Sequence, residues 1–118
     1  MASHRMQRLN KDFKREISDI LSSMKDARVN EFLSVMRVEV TSDLSYAKVY
    51  IGSLKGYEQA VEACGVLRSA EGYIKTALAK SLRIKKVPKL QFVADDAVES
   101  YFRIQNILDG LKEQTPLD

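Results

Sequence analysis

Hydrophobic positions near the start of the chain recur at the spacing of one helical face. Apolar side chains stand at steps of three and four residues, which predicts a helix over about residues 4–24. Its other faces are basic, and Arg8, Lys11 and Arg15 share one side at i, i+3 and i+7. Both a solvated polar face and a binding surface account for these charges.

Two segments that follow alternate apolar with polar residues and are rich in Val, Ile and Tyr. Residues 32–41 and 46–53 show this period of two, which is typical of half-buried strands. The alternation places Met36, Val38 and Val40 on one face of the first strand. Because the short segment between the strands contains turn-forming residues, we expect an antiparallel hairpin.

A longer helical pattern runs through the middle of the chain and changes phase at Ala70-Glu71-Gly72. A glycine is unfavourable inside a helix, and its position between two apolar stripes indicates a kink. The sequence therefore predicts two abutting helices, over about residues 57–69 and 72–82, joined at Ala70 and Gly72.

The last part of the chain contains one further strand and one further helix. Pro88 precedes an apolar segment, residues 90–94, that predicts a third strand. Asp95 and Asp96 offer an N-cap for a final amphipathic helix, and residues 112–118 are expected to form a flexible tail. The order of elements predicts a single α+β domain over residues 1–118, in which a three-stranded sheet carries helices on one face.

Length and composition restrict the class of protein. The chain has 118 residues, of which 45% are hydrophobic and 30% charged, as in ordinary globular domains. One cysteine, Cys64, excludes an internal disulfide and a cysteine zinc site, and its place on an apolar helix face indicates a buried small hydrophobe. Because no apolar run is long enough for a bilayer span, we expect a cytoplasmic protein that does not bind membranes.

The charges are unevenly distributed along the chain. Residues 1–94 have a net charge of +7, whereas residues 95–118 have a net charge of −4. Between Glu71 and Asp95 there are six basic residues and no acidic one. Basic charge without nearby acids favours a polyanionic partner over internal ion pairs.

The predicted order of the first six elements matches a type II KH domain, but the Gly-x-x-Gly loop of KH domains is missing. A kinked pair of helices stands in its place. At this point the chain resembles the ribosome-binding factor A family. The similarity is carried by residues 42–50 (SDLSYAKVY), 70–75 (AEGYIK) and 82–92 (LRIKKVPKLQF), and it extends from about Arg5 to Leu111.

The resemblance implies a non-enzymatic factor that binds the free, immature 30S ribosomal subunit. Such a factor assists folding and 5′-end maturation of 16S rRNA and supports growth in the cold. It implies no cofactor and no metal. Assembly GTPases and ribosomal proteins are further candidate partners, and we expect a monomer.

Nine basic residues are the candidates for contact with RNA phosphates, which give affinity that falls as salt rises. Two small residues, Ala70 and Gly72, are assigned to geometry, because they let the kink approach the RNA or the sheet closely. The nine basic candidates are Arg5, Arg8, Lys11, Arg15, Lys75, Lys80, Arg83, Lys85 and Lys86.

Three alternatives stay open at this point. A nuclease would need clustered acids or a histidine base, and the one adjacent acidic pair, Asp95 and Asp96, is explained by a helix cap. A general KH-like RNA-binding module of another pathway would bind free RNA as tightly as subunits. A protein-interaction domain would use its acidic last helix to dock a basic ribosomal protein, and this role is compatible with RNA binding.

Overall fold

A computed structural model describes residues 4–114, apart from the side chains of residues 98, 99 and 112–114. The predicted order of elements is confirmed, and with it the α+β class. The elements are α1 (His4–Ser23), β1 (Leu33–Val40), β2 (Tyr46–Ser53), α2 (Tyr57–Ser69), α3 (Glu71–Leu82), β3 (Lys89–Ala94) and α4 (Ala97–Gln114).

The three strands form one mixed sheet in the order β1-β2-β3. β2 pairs with β1 in antiparallel fashion, as the short connection between them requires. It pairs with β3 in parallel, because α2 and α3 return the chain to the same end of the sheet. Val49 in β2 lies opposite Val38 of β1 and Phe92 of β3, and all three side chains are buried.

The prediction that Met36 shares one strand face with Val38 and Val40 is wrong, and an irregularity in β1 explains why. The pairing register shifts between Val35 and Arg37, so that Met36 is an extra residue opposite β2. Such a bulge moves the inward-facing positions by one residue. Val35, Val38 and Val40 are therefore the buried residues, and Met36 is only half-buried.

One face of the sheet carries the helices, as predicted. α1 packs on β1, α2 packs on β2 and β3, and α3 packs on α1. The alternation in β2 shows the two faces, since Ala47 and Ile51 are fully buried whereas Tyr46 and Lys48 are exposed. The core between the layers contains Phe13, Ile17, Cys64, Leu67, Ile74, Leu78 and Phe92.

Cys64 is the small buried hydrophobe that its position predicts. It is 1% exposed in the core under α2, and burial raises the pKa of its thiol. A thiol whose pKa is raised forms little of the reactive thiolate at neutral pH. The cysteine therefore contributes packing to the fold.

The last helix begins beside the end of β2 and extends away from the sheet. The Asp95 N–H donates to the Ile51 carbonyl (2.8 Å), and the Ala97 N–H donates to Asp95 Oδ1 (2.8 Å). α4 continues to Gln114, three residues into the segment 112–118 that was predicted as a tail. Residues 115–118 lie outside the described residues. Within the described part of the chain, none of the helices could span a bilayer.

Candidate nucleic-acid interface

One end of the sheet joins segments that are far apart in the sequence. Asn10 of α1 accepts a hydrogen bond from the Val40 N–H at the end of β1 (2.9 Å). Val40 lies opposite Ala47, which lies opposite Leu90 at the start of β3. Neighbouring strands are about 4.8 Å apart, so the first half of α1 and the start of β3 lie near the same end of the sheet.

Six of the nine predicted RNA-binding residues flank this end of the sheet. Arg5, Arg8 and Lys11 lie on the half of α1 that contains Asn10, and the other three lie in or next to the connection from α3 to β3. All six are exposed. We call this set the basic end: Arg5, Arg8, Lys11, Arg83, Lys85 and Lys86.

The start of α3 is fixed beside the start of β3. The Leu90 N–H donates to Glu71 Oε2 (2.9 Å), so the carboxylate that precedes the basic stretch already has a hydrogen-bond donor. From there α3 packs on α1 and carries the two remaining lysine candidates. Lys80 is exposed, and Lys75 is half-buried against the fold.

Ion pairs separate Arg15 from the other candidates. Its guanidinium lies 3.4 Å from Asp12 and 3.6 Å from Glu16, so two carboxylates already compensate its charge. Among the described residues, the six residues of the basic end form no ion pair. No neighbouring carboxylate in the described part of the chain offsets their charges, whereas Asp12 and Glu16 offset part of the charge of Arg15.

The kink between α2 and α3 is a single residue, Ala70, with φ −97° and ψ 11°. Its N–H donates to the carbonyls of Val66 and Leu67 (both 3.1 Å), and its carbonyl accepts from the Ile74 N–H (3.0 Å). Ala70 therefore ends one helix and starts the next, and α3 begins at Glu71 rather than at the predicted residue 72.

Gly72 does not serve a close approach to the sheet, and that part of its predicted role is wrong. It is exposed in the first turn of α3, and a Cβ added there meets no atom within 4 Å. The space around it is open on the outer side of the kink. A close approach to a ligand remains the geometric role to be tested.

Arg83 has a structural role that the sequence did not indicate. It ends α3 in the left-handed conformation, with φ 54° and ψ 44°. The Ile84 N–H donates to the Ala79 carbonyl (3.2 Å) and closes the helix end. Glycine is the usual residue at such a position, so the backbone of an arginine there is strained. The same residue contributes a positive charge to the basic end.

The loop between β1 and β2 lies at the same end of the sheet, and its carboxylate, Asp43, is hydrogen-bonded within the loop. Asp43 Oδ1 accepts hydrogen bonds from Thr41 Oγ1 (2.8 Å), the Ser45 N–H (3.1 Å) and Ser45 Oγ (2.7 Å). These donors, those of Ser45 first, lower the pKa of Asp43 to about 2. The carboxylate is ionised at neutral pH and its charge is directed into the loop.

Three residues that join the elements around the basic end were not found from the sequence. Asn10 holds Val40 and Glu71 holds Leu90, while Arg68 Nη2 donates to the Phe92 carbonyl (3.0 Å). Each bond joins positions 19 to 30 residues apart. A local pattern contains no signal for such partners, because the partner is set by how the elements pack.

The adjacent acids weighed above as a nuclease centre lie at the start of α4. Asp95 Oδ1 accepts the Ala97 N–H (2.8 Å), and the Ser100 N–H donates to the Asp96 carbonyl (2.7 Å). Both residues therefore take part in starting the helix. In residues 4–114, leaving aside the undescribed side chains, no group of three or more His, Cys, Asp or Glu is placed to hold a metal ion.

Comparisons of the sequence with a family model and with curated proteins identify the same family. A family model described as ribosome-binding factor A matches residues 5–108. A ribosome-binding factor A from Treponema denticola is 36% identical over 120 residues, covering 100% of this chain and 91% of the relative.

Solved structures of the same family share the fold. The crystal structure of ribosome-binding factor A from Thermus thermophilus superposes with a TM-score of 0.67 at 27% identity, covering 75% of this chain and 94% of that one. A Thermus thermophilus homology model fitted into a cryo-electron microscopy map of a 30S complex gives a TM-score of 0.61 at 27% identity, covering 79% and 93%. The chain belongs to the ribosome-binding factor A family.

Proposed function

We propose that this protein is a non-enzymatic assembly factor that binds the immature 30S subunit. In this role it assists folding and 5′-end maturation of 16S rRNA, including at low temperature. The observation that carries the proposal is the basic end, where six exposed basic residues from α1 and from the approach to β3 flank one end of the sheet. Family membership and the relative fitted into a 30S map support the choice of RNA.

The basic end binds phosphates and reads the shape of folded RNA. Each Lys or Arg that neutralises a phosphate releases counterions, which gives salt-dependent affinity with little information about base sequence. Selectivity for the subunit then comes from whether a folded rRNA surface presents phosphates to α1 and to residues 83–86 at once. A factor that binds one RNA conformation more tightly shifts the population toward it.

Lys75, Lys80 and Arg15 extend this surface in the proposal. Lys80 is exposed on α3. Lys75 is half-buried, so its aliphatic stem packs against the protein while its ammonium group stays in contact with solvent and can meet a phosphate. Arg15 contributes less, because Asp12 and Glu16 offset part of its charge. The factor acts in the cytoplasm as a monomer, with assembly GTPases and ribosomal proteins as further partners.

Charge reversal at two positions tests the proposal. The variant Arg83→Glu/Lys85→Glu is sedimented with small subunits, large subunits and naked 16S rRNA across a range of salt. We expect binding to small subunits to weaken and its salt dependence to become less steep by about one unit for each lost phosphate contact. The melting temperature should change little, because both side chains are exposed.

A matched control changes the same charge elsewhere. Lys25→Glu/Lys55→Glu lies beyond the ends of α1 and β2, away from the basic end, and both residues are exposed. This control should bind subunits as the wild type does. Equal loss in both variants would mean that net charge alone matters, and equal binding of the wild type to all three targets would favour a general KH-like RNA-binding module.

A further inference from the structure

The face of the sheet opposite α1, α2 and α3 is exposed where β2 and β3 begin. The register places Tyr46 beside Lys89 and Lys48 beside Gln91, and the alternating burial of both strands directs these side chains to the outer face. All of them are exposed, and Tyr46 is 45% exposed. We call this set the Tyr46 patch: Tyr46, Lys48, Lys89 and Gln91.

A shallow hollow lies in this face of the sheet. It has a volume of about 430 Å³, and Tyr46, Lys48 and Gln91 line it together with Glu39 and Thr41. This volume lies within the range of small-ligand sites. The lining offers an aromatic ring, an ammonium group, and an amide that both donates and accepts hydrogen bonds.

The two aromatic residues on the outer face of β2 differ in what covers their rings. The guanidinium carbon of Arg37 lies 4.1 Å from the ring centroid of Tyr50, and Tyr50 is half-buried. In the part of the chain that the structure describes, no ring or cation contact involves Tyr46. The ring of Tyr46 is therefore the one on this strand that offers a surface for stacking.

The charges around the Tyr46 patch favour an anionic ligand. Two carboxylates lie nearby, and both have partners: Glu39 Oε1 is 3.2 Å from Arg37 Nε, and Asp43 Oδ1 accepts three hydrogen bonds within its own loop. Among residues 4–114, no described carboxylate lies within ion-pair distance of Lys48 or Lys89. A phosphate at the patch therefore meets two lysines.

The combination of groups in the patch identifies the class of ligand. Unpaired RNA bases stack on aromatic side chains and form hydrogen bonds along their edges, while basic residues hold the backbone. The patch is next to the basic end, since the Lys89 N–H donates to the Ser45 carbonyl (3.0 Å) and Lys89 closely follows residues 83–86. A protein partner fits less well, because a helix or sheet that packs on a sheet face buries apolar side chains, and the patch contains no aliphatic residue.

We propose that the Tyr46 patch binds one unpaired RNA base beside the phosphates held by the basic end. Tyr46 stacks on the base, Gln91 bonds to its edge, and Lys48 and Lys89 contact the flanking phosphates. This inference rests on the proposed function. Stacking neutralises no phosphate, so its contribution to affinity is independent of salt, whereas that of the basic end falls as salt rises.

Two substitutions of one side chain test the role of the ring. Tyr46→Thr removes the ring and keeps a residue that favours strands, whereas Tyr46→Phe keeps the ring and is the matched control. Affinity is measured for small subunits, for a short unstructured single-stranded RNA, and for an abasic oligomer of the same length. We expect Tyr46→Thr to bind subunits and the RNA about tenfold more weakly, with an unchanged salt dependence. Tyr46→Phe should match the wild type on all three, and the abasic oligomer should not distinguish the proteins.

Other outcomes overturn the inference in distinct ways. Full affinity of Tyr46→Thr for the RNA and for subunits would exclude the patch as a base site, and equal losses in Tyr46→Thr and Tyr46→Phe would assign the effect to the hydroxyl rather than to stacking. A loss that extends to the abasic oligomer would place Tyr46 among the phosphate contacts.

A second variant keeps the test valid if Tyr46→Thr lowers the melting temperature. Gln91→Ala is exposed on the next strand and should weaken binding to the RNA but not to the abasic oligomer; equal binding would contradict the proposal. Failure of the wild type to bind subunits would refute the proposed function itself. Binding that Arg83→Glu/Lys85→Glu weakens and Tyr46→Thr does not would refute the base site alone.

Discussion

At the scale of single residues, the basic end combines charge with backbone geometry. Arg83 ends α3 in the left-handed conformation and also contributes an exposed guanidinium. The sequence identified its charge but not its conformation, because arginine carries no preference for positive φ. These two properties can be separated by substitution, since glycine keeps the conformation and removes the charge.

We predict that Arg83→Gly and Arg83→Ala weaken binding to small subunits equally but differ in stability. The free energy of unfolding of the glycine variant should be about 1 kcal/mol higher than that of the alanine variant, because alanine is strained in the left-handed conformation and glycine is not. Chemical denaturation and subunit sedimentation give the two values. Equal stability of the two variants would show that the helix end relaxes without its left-handed residue.

Asp43 gives a prediction for pH. Its folded-state pKa of about 2 lies below the ordinary value of 3.8, so the stabilisation is present above about pH 4 and is lost as pH falls through about 2. The variant Asp43→Asn should therefore be less stable than wild type at pH 7, with the difference shrinking toward pH 2. Denaturation midpoints of both proteins across this range measure it, and a constant difference contradicts it.

At the scale of elements, the joint between α2 and α3 is the distinctive part of the fold. Its place was predicted from the change of phase at Ala70-Glu71-Gly72, and α2 has the predicted bounds of residues 57–69. Apolar periodicity reports such boundaries well because it depends on neighbours within one helix. The bulge at Met36 was missed because an extra residue in a strand leaves no mark in a short alternating sequence.

The joint also carries a prediction. Gly72→Ala should raise the free energy of unfolding by about 0.5–1 kcal/mol, since alanine favours the helix and a Cβ meets no atom within 4 Å. If the kink approaches RNA closely, as the sequence analysis predicts, the same methyl group weakens binding to small subunits. Ser69→Ala, also exposed beside the joint, is the control. A more stable variant with full affinity would remove the kink from the interface.

At the scale of the whole molecule, the basic end joins two segments that are distant in sequence. Arg8 and Lys11 precede residues 83–86 by about seventy positions, yet Asn10 ties their helix to the end of the sheet where β3 begins. Basic charge in both segments was visible in the sequence. Their convergence was not, since it follows from the strand register and from the packing of α1 on β1.

We predict that Arg8→Gln/Lys11→Gln weakens binding to small subunits, as we expect of Arg83→Glu/Lys85→Glu. Affinity for small subunits should fall, and the salt dependence should lose about one unit for each phosphate contact removed. The melting temperature should stay close to wild type because both side chains are exposed. Lys14→Gln/Lys25→Gln, an equal change of charge, serves as control, and an effect confined to residues 83–86 would exclude α1 from the interface.

The sequence by itself determined the elements, the one-sided sheet, the kink and the family resemblance. These follow from hydrophobic periodicity and short motifs, which are properties of neighbouring residues. Tertiary structure alone decided which distant segments lie near one end of the sheet, since Asn10 bonds Val40 and Glu71 bonds Leu90 across 30 and 19 residues. It also decided that the apolar side of α4 stays exposed, because an amphipathic pattern shows that a helix has an apolar face but not what covers that face.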